Sequence, residues 1–269
     1  MYRVAAIQMA SGSNVTANLN EAARLIGEAV NMGAQIVILP ENFALMAMHS
    51  IDNINIREKP GAGPIQEFLS QQAARFGIWL VGGTLPLMAD SPLKYRTACL
   101  VFNNTGECVA RYDKMHLFDV TAAPDEQYCE SDTIEAGQQV VVVKTPYGRL
   151  GLAICYDLRF PELFRSMQDV ELIAIPSAFT AVTGKVHWEI LVRARAVENL
   201  CYLIAANQGG YHVNGRKTYG NSMIIDPWSL VLTRLNQGSG VICADLDREK
   251  QAQLRRNFPT HEHRKIQCQ

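Results

Sequence analysis

Three short apolar runs, each followed closely by a polar or reactive residue, constrain this chain more than anything in its composition. Ile36-Val37-Ile38-Leu39 leads into Pro40-Glu41, Cys108-Val109-Ala110-Arg111-Tyr112 into Asp113-Lys114, and Leu150-Gly151-Leu152-Ala153-Ile154 into Cys155. Apolar, β-branched runs of this length read as buried strands, and ligand sites in α/β sheets lie beyond such strand ends. A fold that brings the three ends to one mouth gathers a carboxylate, an ammonium and a thiol, the parts of an acyl-transfer site.

The remaining chain alternates in the same way. A strand is predicted over 4–9, then a helix over 16–32, where Leu19, Ala22, Ala23, Ile26, Ala29 and Val30 recur at helical spacing and Gly33 closes the C-terminus. Pro64 opens a second helix that Gly77 ends, and 78–81 is the next strand. The runs 95–102 and 108–112 flank Asn103-Asn104-Thr105-Gly106-Glu107 and predict a hairpin. Beyond it the spacing predicts strands over 140–143 and 150–154, a helix from 161, a strand over 172–175 and a helix over 187–199 with Ile190, Leu191, Ala194 and Val197 on one face. Strands over 202–206, 222–225, 230–235 and 241–244 and a polar helix from 247 complete the pattern. No linker or charge block divides the chain, so one domain over 1–269 with a short C-terminal tail is expected: two sheets facing each other, with helices on the outside.

Charge excludes some partners. Lys plus Arg is 25 against 26 Asp plus Glu, which leaves no basic surface for nucleic acid or an anionic membrane. No segment approaches the ~20 apolar residues that span a bilayer, and Met1-Tyr2-Arg3-Val4-Ala5-Ala6-Ile7 lacks the features of a signal peptide. The seven cysteines, Cys99, Cys108, Cys129, Cys155, Cys201, Cys243 and Cys268, are odd in number and show no CxxC spacing. Reduced thiols in a cytoplasmic protein fit that pattern better than disulfides or a zinc site. Neither a metal nor an organic cofactor is expected.

Each reactive residue has a plain reading beside the chemical one. A cysteine after an apolar strand is commonly a small buried hydrophobe, but Cys155 stands where the strand turns abruptly polar, a placement that displays a nucleophile. Glu41 is an ordinary turn carboxylate unless Phe43, Ala44, Leu45 and Met46 enclose it, when its pKa rises toward that of a general base. Lys114, between Asp113 and Met115, is either a surface lysine or the cation that steadies a thiolate and an oxyanion. The rival is a Cys/His pair with His116, His187 or His212 as the base, a thiol transferase or redox enzyme with no need of Glu41.

Pro40-Glu41-Asn42-Phe43, Tyr112-Asp113-Lys114-Met115-His116-Leu117-Phe118-Asp119 and Gly151-Leu152-Ala153-Ile154-Cys155-Tyr156-Asp157-Leu158-Arg159-Phe160-Pro161-Glu162 resemble the three signature segments of the nitrilase superfamily of carbon-nitrogen hydrolases. The likeness runs over nearly the whole chain. Pro176-Ser177-Ala178-Phe179-Thr180, Thr183-Gly184, His187-Trp188-Glu189, Arg193-Ala194-Arg195-Ala196 and the segment from Tyr219 to Trp228 resemble the Nit subgroup, in particular the deaminated glutathione amidases. Asn221 stands where that subgroup commonly has histidine, and Ser229 where glycine is usual.

The resemblance implies a four-layer αββα sandwich that forms a homodimer or a larger homo-oligomer. It implies Cys155 as nucleophile, Glu41 as general base, Lys114 as oxyanion stabiliser and Glu130 as the family's second glutamate. A small carboxylated amide would then be hydrolysed to acid and ammonia through a cysteine thioester. Tyr156 would lend a backbone N–H to the oxyanion, Arg159 would grip a substrate carboxylate or else pair with Glu162, and Phe179 and Thr180 would line the pocket. The alternatives are an omega-amidase acting on α-ketoglutaramate, a carbamoyl-amide hydrolase, or a catalytically quiet binding protein of the same fold.

Overall fold

A computed structural model describes residues 1–124 and 126–266; Cys268 lies outside them. The strands in chain order are β1 (Tyr2–Gln8), β2 (Ile36–Ile38), β3 (Trp79–Val81), β4 (Leu85–Met88), β5 (Tyr95–Phe102), β6 (Cys108–Asp113), β7 (Asp119–Ala123), β8 (Glu126–Cys129), β9 (Val142–Thr145), β10 (Gly148–Leu152), β11 (Leu172–Ser177), β12 (Tyr202–Asn207), β13 (Ser222–Ile225), β14 (Val231–Leu235) and β15 (Gly240–Leu246). The helices are α1 (Val15–Asn31), α2 (Ser50–Ile56), α3 (Pro64–Phe76), α4 (Pro161–Ser166), α5 (Ala181–Asn199) and α6 (Arg248–Asn257).

One sheet runs β15-β1-β2-β3-β5-β4 with β6 on β5, and the other β14-β13-β12-β11-β10-β9. At the centre of each, three strands are parallel: β1, β2 and β3 in the first, β10, β11 and β12 in the second. Alternation along the first sheet sorts its side chains between two cores. Val4, Ala6, Ile36, Ile38, Val81 and Val101 face inward and pack with Leu150, Leu152, Ile173 and Ile204 of the second sheet. Ala5, Ile7, Val37, Leu80 and Leu100 face outward, where Leu25 and Ile26 of α1 and Ile65 and Leu69 of α3 cover them. Phe164 of α4 and Trp188 and Val192 of α5 cover the far face of the second sheet. The layers are therefore helix, sheet, sheet, helix, as the resemblance implies.

Local rules account for the helix ends. Asn14 caps α1 by accepting the Ala17 N–H, Asp247 caps α6 by accepting those of Glu249 and Lys250, and Gly77 ends α3 at φ +63°. The structure departs from the sequence reading at α5. It begins at Ala181 rather than 187, because Thr180 accepts the Thr183 N–H and caps it there. Its buried face is Gly184, Trp188, Val192, Arg195 and Ala196; Ile190 is 68% exposed and Val197 39%.

Candidate active site

The site forms at the C-terminal ends of parallel strands from both sheets, where a bridge between Met9 and Gln208 joins the two. Glu41 follows β2 through Leu39 and Pro40 and is 3% exposed. Gly83, at φ +58°, backs this loop so closely that an added Cβ would fall 2.2 Å from the Pro40 carbonyl oxygen. From the other side the Gln208 side-chain amide donates to the Glu41 carbonyl at 3.0 Å and to Ser11 Oγ at 2.8 Å. Lys114 is the first residue after β6; its N–H donates to the Thr97 carbonyl and its own carbonyl accepts from Gly137. Cys155 lies three residues beyond β10 and opens a 3₁₀ turn, Cys155–Arg159, with φ +46°, a left-handed conformation rare for any residue but glycine. Glu130 opens a second 3₁₀ turn after the β7–β8 hairpin.

Lys114 is the hub. Its Nζ is 2.9 Å from Glu41 Oε1 and 2.9 Å from the Glu130 carboxylate, whose Oε2 also accepts the Phe118 N–H at 2.8 Å. The lysine side chain is 1% exposed, those of Glu41 and Glu130 4% and 23%. Burial works against the ammonium, but Glu130 and Glu41, with Cys155, outweigh it and hold its pKa well above the usual lysine value. Burial pushes the Cys155 thiol the same way, well above the ordinary thiol value; Glu41 adds to this, while Lys114 and the Ala178 N–H oppose it. Burial and Glu41 both favour the neutral thiol over the thiolate, so nucleophilic chemistry at Cys155 would call for a base as a substrate arrives.

A buried aspartate holds the lysine and cysteine segments together. Asp157 Oδ2 accepts from the Tyr112 hydroxyl at 2.7 Å and the Ile154 N–H at 2.8 Å, and Oδ1 accepts the His116 N–H at 3.1 Å and lies 2.7 Å from His116 Nδ1. One carboxylate thus fixes residues on both sides of Lys114 to the turn that carries Cys155. Nothing in the sequence around Asp157 marks it for this task.

Glu41, Lys114, Glu130 and Cys155 line one small cavity together with Phe118, Tyr156, Ala178, Phe179, Thr180, Thr183 and Arg216. It opens into a broader cleft that shares Glu41, Glu130 and Arg216. Of the site residues expected from the resemblance, Arg159 alone is not among the cavity-lining residues. The Arg159 guanidinium lies 5.7 Å from the ring centres of Tyr156 and Phe179 and contacts His187 Nδ1 at 3.3 Å, so it stands behind the wall. The three histidines weighed as partners of the thiol are engaged elsewhere: His116 with Asp157, His187 with Arg159, and His212 with the Ser11 carbonyl and Thr218. None of them is among the cavity-lining residues. Thr183 and Arg216 were not anticipated; Arg216 sits in an Asn-Gly-Arg turn whose sequence carries no signal of a pocket.

The chain is 42% identical over 98% of its length, and 98% of the relative's, to a deaminated glutathione amidase of Synechocystis sp. PCC 6803. It is 38% identical to the human deaminated glutathione amidase, covering 97% of this chain and 82% of that one. The crystal structure of the C. elegans NitFhit protein superposes with a TM-score of 0.90 at 35% identity, over 98% of this chain; the chain spans 65% of that longer protein. Residues 3–256 match the carbon-nitrogen hydrolase family. With that match spanning both sheets and every residue of the cavity, this chain belongs to the carbon-nitrogen hydrolase family, of the nitrilase superfamily.

Proposed function

We propose that this enzyme is a deaminated glutathione amidase in which Cys155 is the nucleophile, Glu41 the general base, Lys114 the oxyanion stabiliser and Glu130 the group that orients Lys114. The observation that carries the reading is the position of Lys114, clamped 2.9 Å from each of two carboxylates in the cavity that Cys155 lines. Glu41 takes the thiol proton as Cys155 Sγ attacks the amide carbon. The oxyanion is held by the Lys114 ammonium and by the Tyr156 N–H, which lies in the first turn of the 3₁₀ segment, where N–H groups lack helical partners. Collapse breaks the C–N bond, and Glu41 returns the proton to the departing nitrogen. Water, deprotonated by Glu41, then hydrolyses the thioester.

The departing group depends on the amide. Both amide bonds of glutathione join residues, so its deaminated form releases an amine; ammonia comes only from a primary amide such as α-ketoglutaramate. A longer substrate supplies remote contacts that orient the reacting amide and raise turnover. In side-by-side assays of amine and ammonia release, deaminated glutathione should exceed α-ketoglutaramate in kcat/KM by at least roughly tenfold, about 1.4 kcal/mol of transition-state binding. Equal or reversed efficiencies would move the assignment to an omega-amidase. Cys155→Ala should abolish both reactions; undiminished turnover would remove the thioester mechanism and favour a binding role for the fold.

The same reading includes a cytoplasmic homodimer. The six described cysteines are all unbridged, which suits a reducing compartment. Val182, Val186 and Ile190 of α5, together with Trp228 and Leu230, are 49–68% exposed, apolar side chains that a partner protomer would cover. Among the described residues no helix is long and apolar enough to cross a membrane.

A further inference from the structure

Two glutamines, Gln8 and Gln208, are fully buried where the two sheets meet, and they hold different things. Gln8, the last residue of β1, accepts the Ser222 N–H and hydroxyl on Oε1 at 2.9 and 2.8 Å and donates to the Gly238 carbonyl at 2.9 Å. Its partners belong to the C-terminal part of the chain. Gln208, the first residue after β12, turns the other way. Its Oε1 accepts the Ser11 N–H at 3.0 Å, and its Nε2 donates to Ser11 Oγ at 2.8 Å and to the Glu41 carbonyl at 3.0 Å. With its amide so engaged, Gln208 can act on the reaction only through the residues it holds.

The peptide that joins Glu41 to Asn42 is gripped at both ends. Gln208 holds its carbonyl from the second sheet, and Thr84 Oγ1, buried beside β3 of the first, accepts the Asn42 N–H at 2.9 Å. Asn42 then leaves in the left-handed region, at φ +58°, so these side-chain contacts and not a strand ladder set the course of the loop. The plane of that peptide in turn constrains the direction in which the Glu41 side chain leaves the backbone. Gln208 is also tied to the nucleophile. Its N–H donates to the Ser177 carbonyl at 3.0 Å, and the next residue, Ala178, directs its N–H at the Cys155 sulfur. One hydrogen-bonded path therefore runs from Glu41 through Gln208 and Ser177-Ala178 to Cys155 without passing through Lys114.

We propose that Gln208 is a positioning residue that, with Thr84, fixes the Glu41 carboxylate at the separation from Cys155 that proton transfer requires. This rests on Glu41 as the base, the reading given above, and adds what holds that base in register across the two sheets. A slightly displaced carboxylate still admits substrate but transfers protons poorly, so the loss should fall on kcat. Steady-state rates are measured with whichever of deaminated glutathione and α-ketoglutaramate is turned over faster. Gln208→Met, which keeps the length of the side chain and removes its donors, should lower kcat by roughly 30-fold and change KM by less than about threefold. Gln8→Met removes as many hydrogen bonds at the same seam and should cost similar stability in urea unfolding, yet leave kcat within about threefold of wild type. Thr84→Val, a milder change, should lower kcat roughly tenfold with KM unchanged. Wild-type kcat in folded Gln208→Met, a loss carried by KM, or an equal loss of kcat in Gln8→Met would overturn the proposal. If Gln208→Met does not fold, wild-type kcat in Thr84→Val would do the same. A nearly inactive Glu41→Gln beside an unaffected Gln208→Met would remove the positioning role and leave Glu41 as the base; wild-type turnover in Glu41→Gln would remove both.

Discussion

Two clusters in this molecule have the same composition, one cation between two carboxylates, and opposite settings. On α1, Arg24 pairs with Glu21 at 2.8 Å and with Glu28 at 3.2 Å, and the three side chains are 57%, 36% and 47% exposed. At the mouth of the sheets Lys114 pairs with Glu41 and with Glu130 at 2.9 Å each, and the lysine and Glu41 are almost sealed from water. The α1 partners lie three and four residues apart on one helix, so they meet whenever the helix forms. Glu41 and Lys114 are 73 residues apart and meet only in the finished fold. Exposed pairs add little stability, and buried ones surrender hydration that their attraction barely recovers. The buried cluster is therefore poorly explained as a stabilising device, and its place beside Cys155 is better explained by chemistry.

The largest expected effect breaks the buried cluster. Lys114→Ala should lower kcat by at least ~10² through loss of an oxyanion donor. By leaving two carboxylates buried without their cation it should also cost about 3–5 kcal/mol in denaturant unfolding. A variant as stable as wild type would mean that water already reaches both glutamates. An intermediate effect lies in pH. A thiol whose folded pKa is raised contributes stability that is complete below its unfolded value, about 8.5, and is lost as pH climbs toward the folded value. Lys114, raised as well, acts in the same direction at still higher pH. Glu21 has the opposite sign: its hydrogen bond to Arg24 lowers its pKa, so its contribution is present above the ordinary carboxylate range and lost as pH falls. Unfolding free energies measured from pH 7 to 10 should fall more steeply in wild type than in Cys155→Ala; parallel curves would contradict the protonated resting thiol. The smallest effect belongs to the surface: Arg24→Ala should change stability by less than about 1 kcal/mol, with any difference fading at high salt.

Legibility in the sequence followed hydrophobic contrast. The strands of the two large sheets other than β4, and the helices α1 and α3, are readable because their apolar periods are strong and glycine ends each helix; the short edge strand β4 and the short helix α2 carry no such period and are not. The β7–β8 hairpin, which delivers Glu130 to Lys114, was not, because its residues are half-exposed and carry no alternation. Ile190 and Val197 misled the reading of α5 because apolar residues on its outer side imitate a core face. Glu41, Lys114 and Cys155 were found by their common position beyond strand ends. Arg216 was hidden by a turn whose partners, Ala178 and Tyr128, are distant in sequence. The departures at Asn221 and Ser229 have a backbone account: both residues have positive φ, +54° and +71°, which asparagine tolerates and which explains the usual glycine at the second position.

The left-handed backbone of Cys155 also limits which nucleophiles this fold can ever carry. At φ +46° a β-branched side chain collides with its own peptide groups, so threonine is barred there by geometry before its reactivity is tested. Serine fits, but it needs a stronger base than a carboxylate. Among natural nucleophilic side chains of this size, the conformation that displays the group and the glutamate proposed as its base leave cysteine as the residue that meets both demands, which would tie the site to thiol chemistry and to its sensitivity to oxidants.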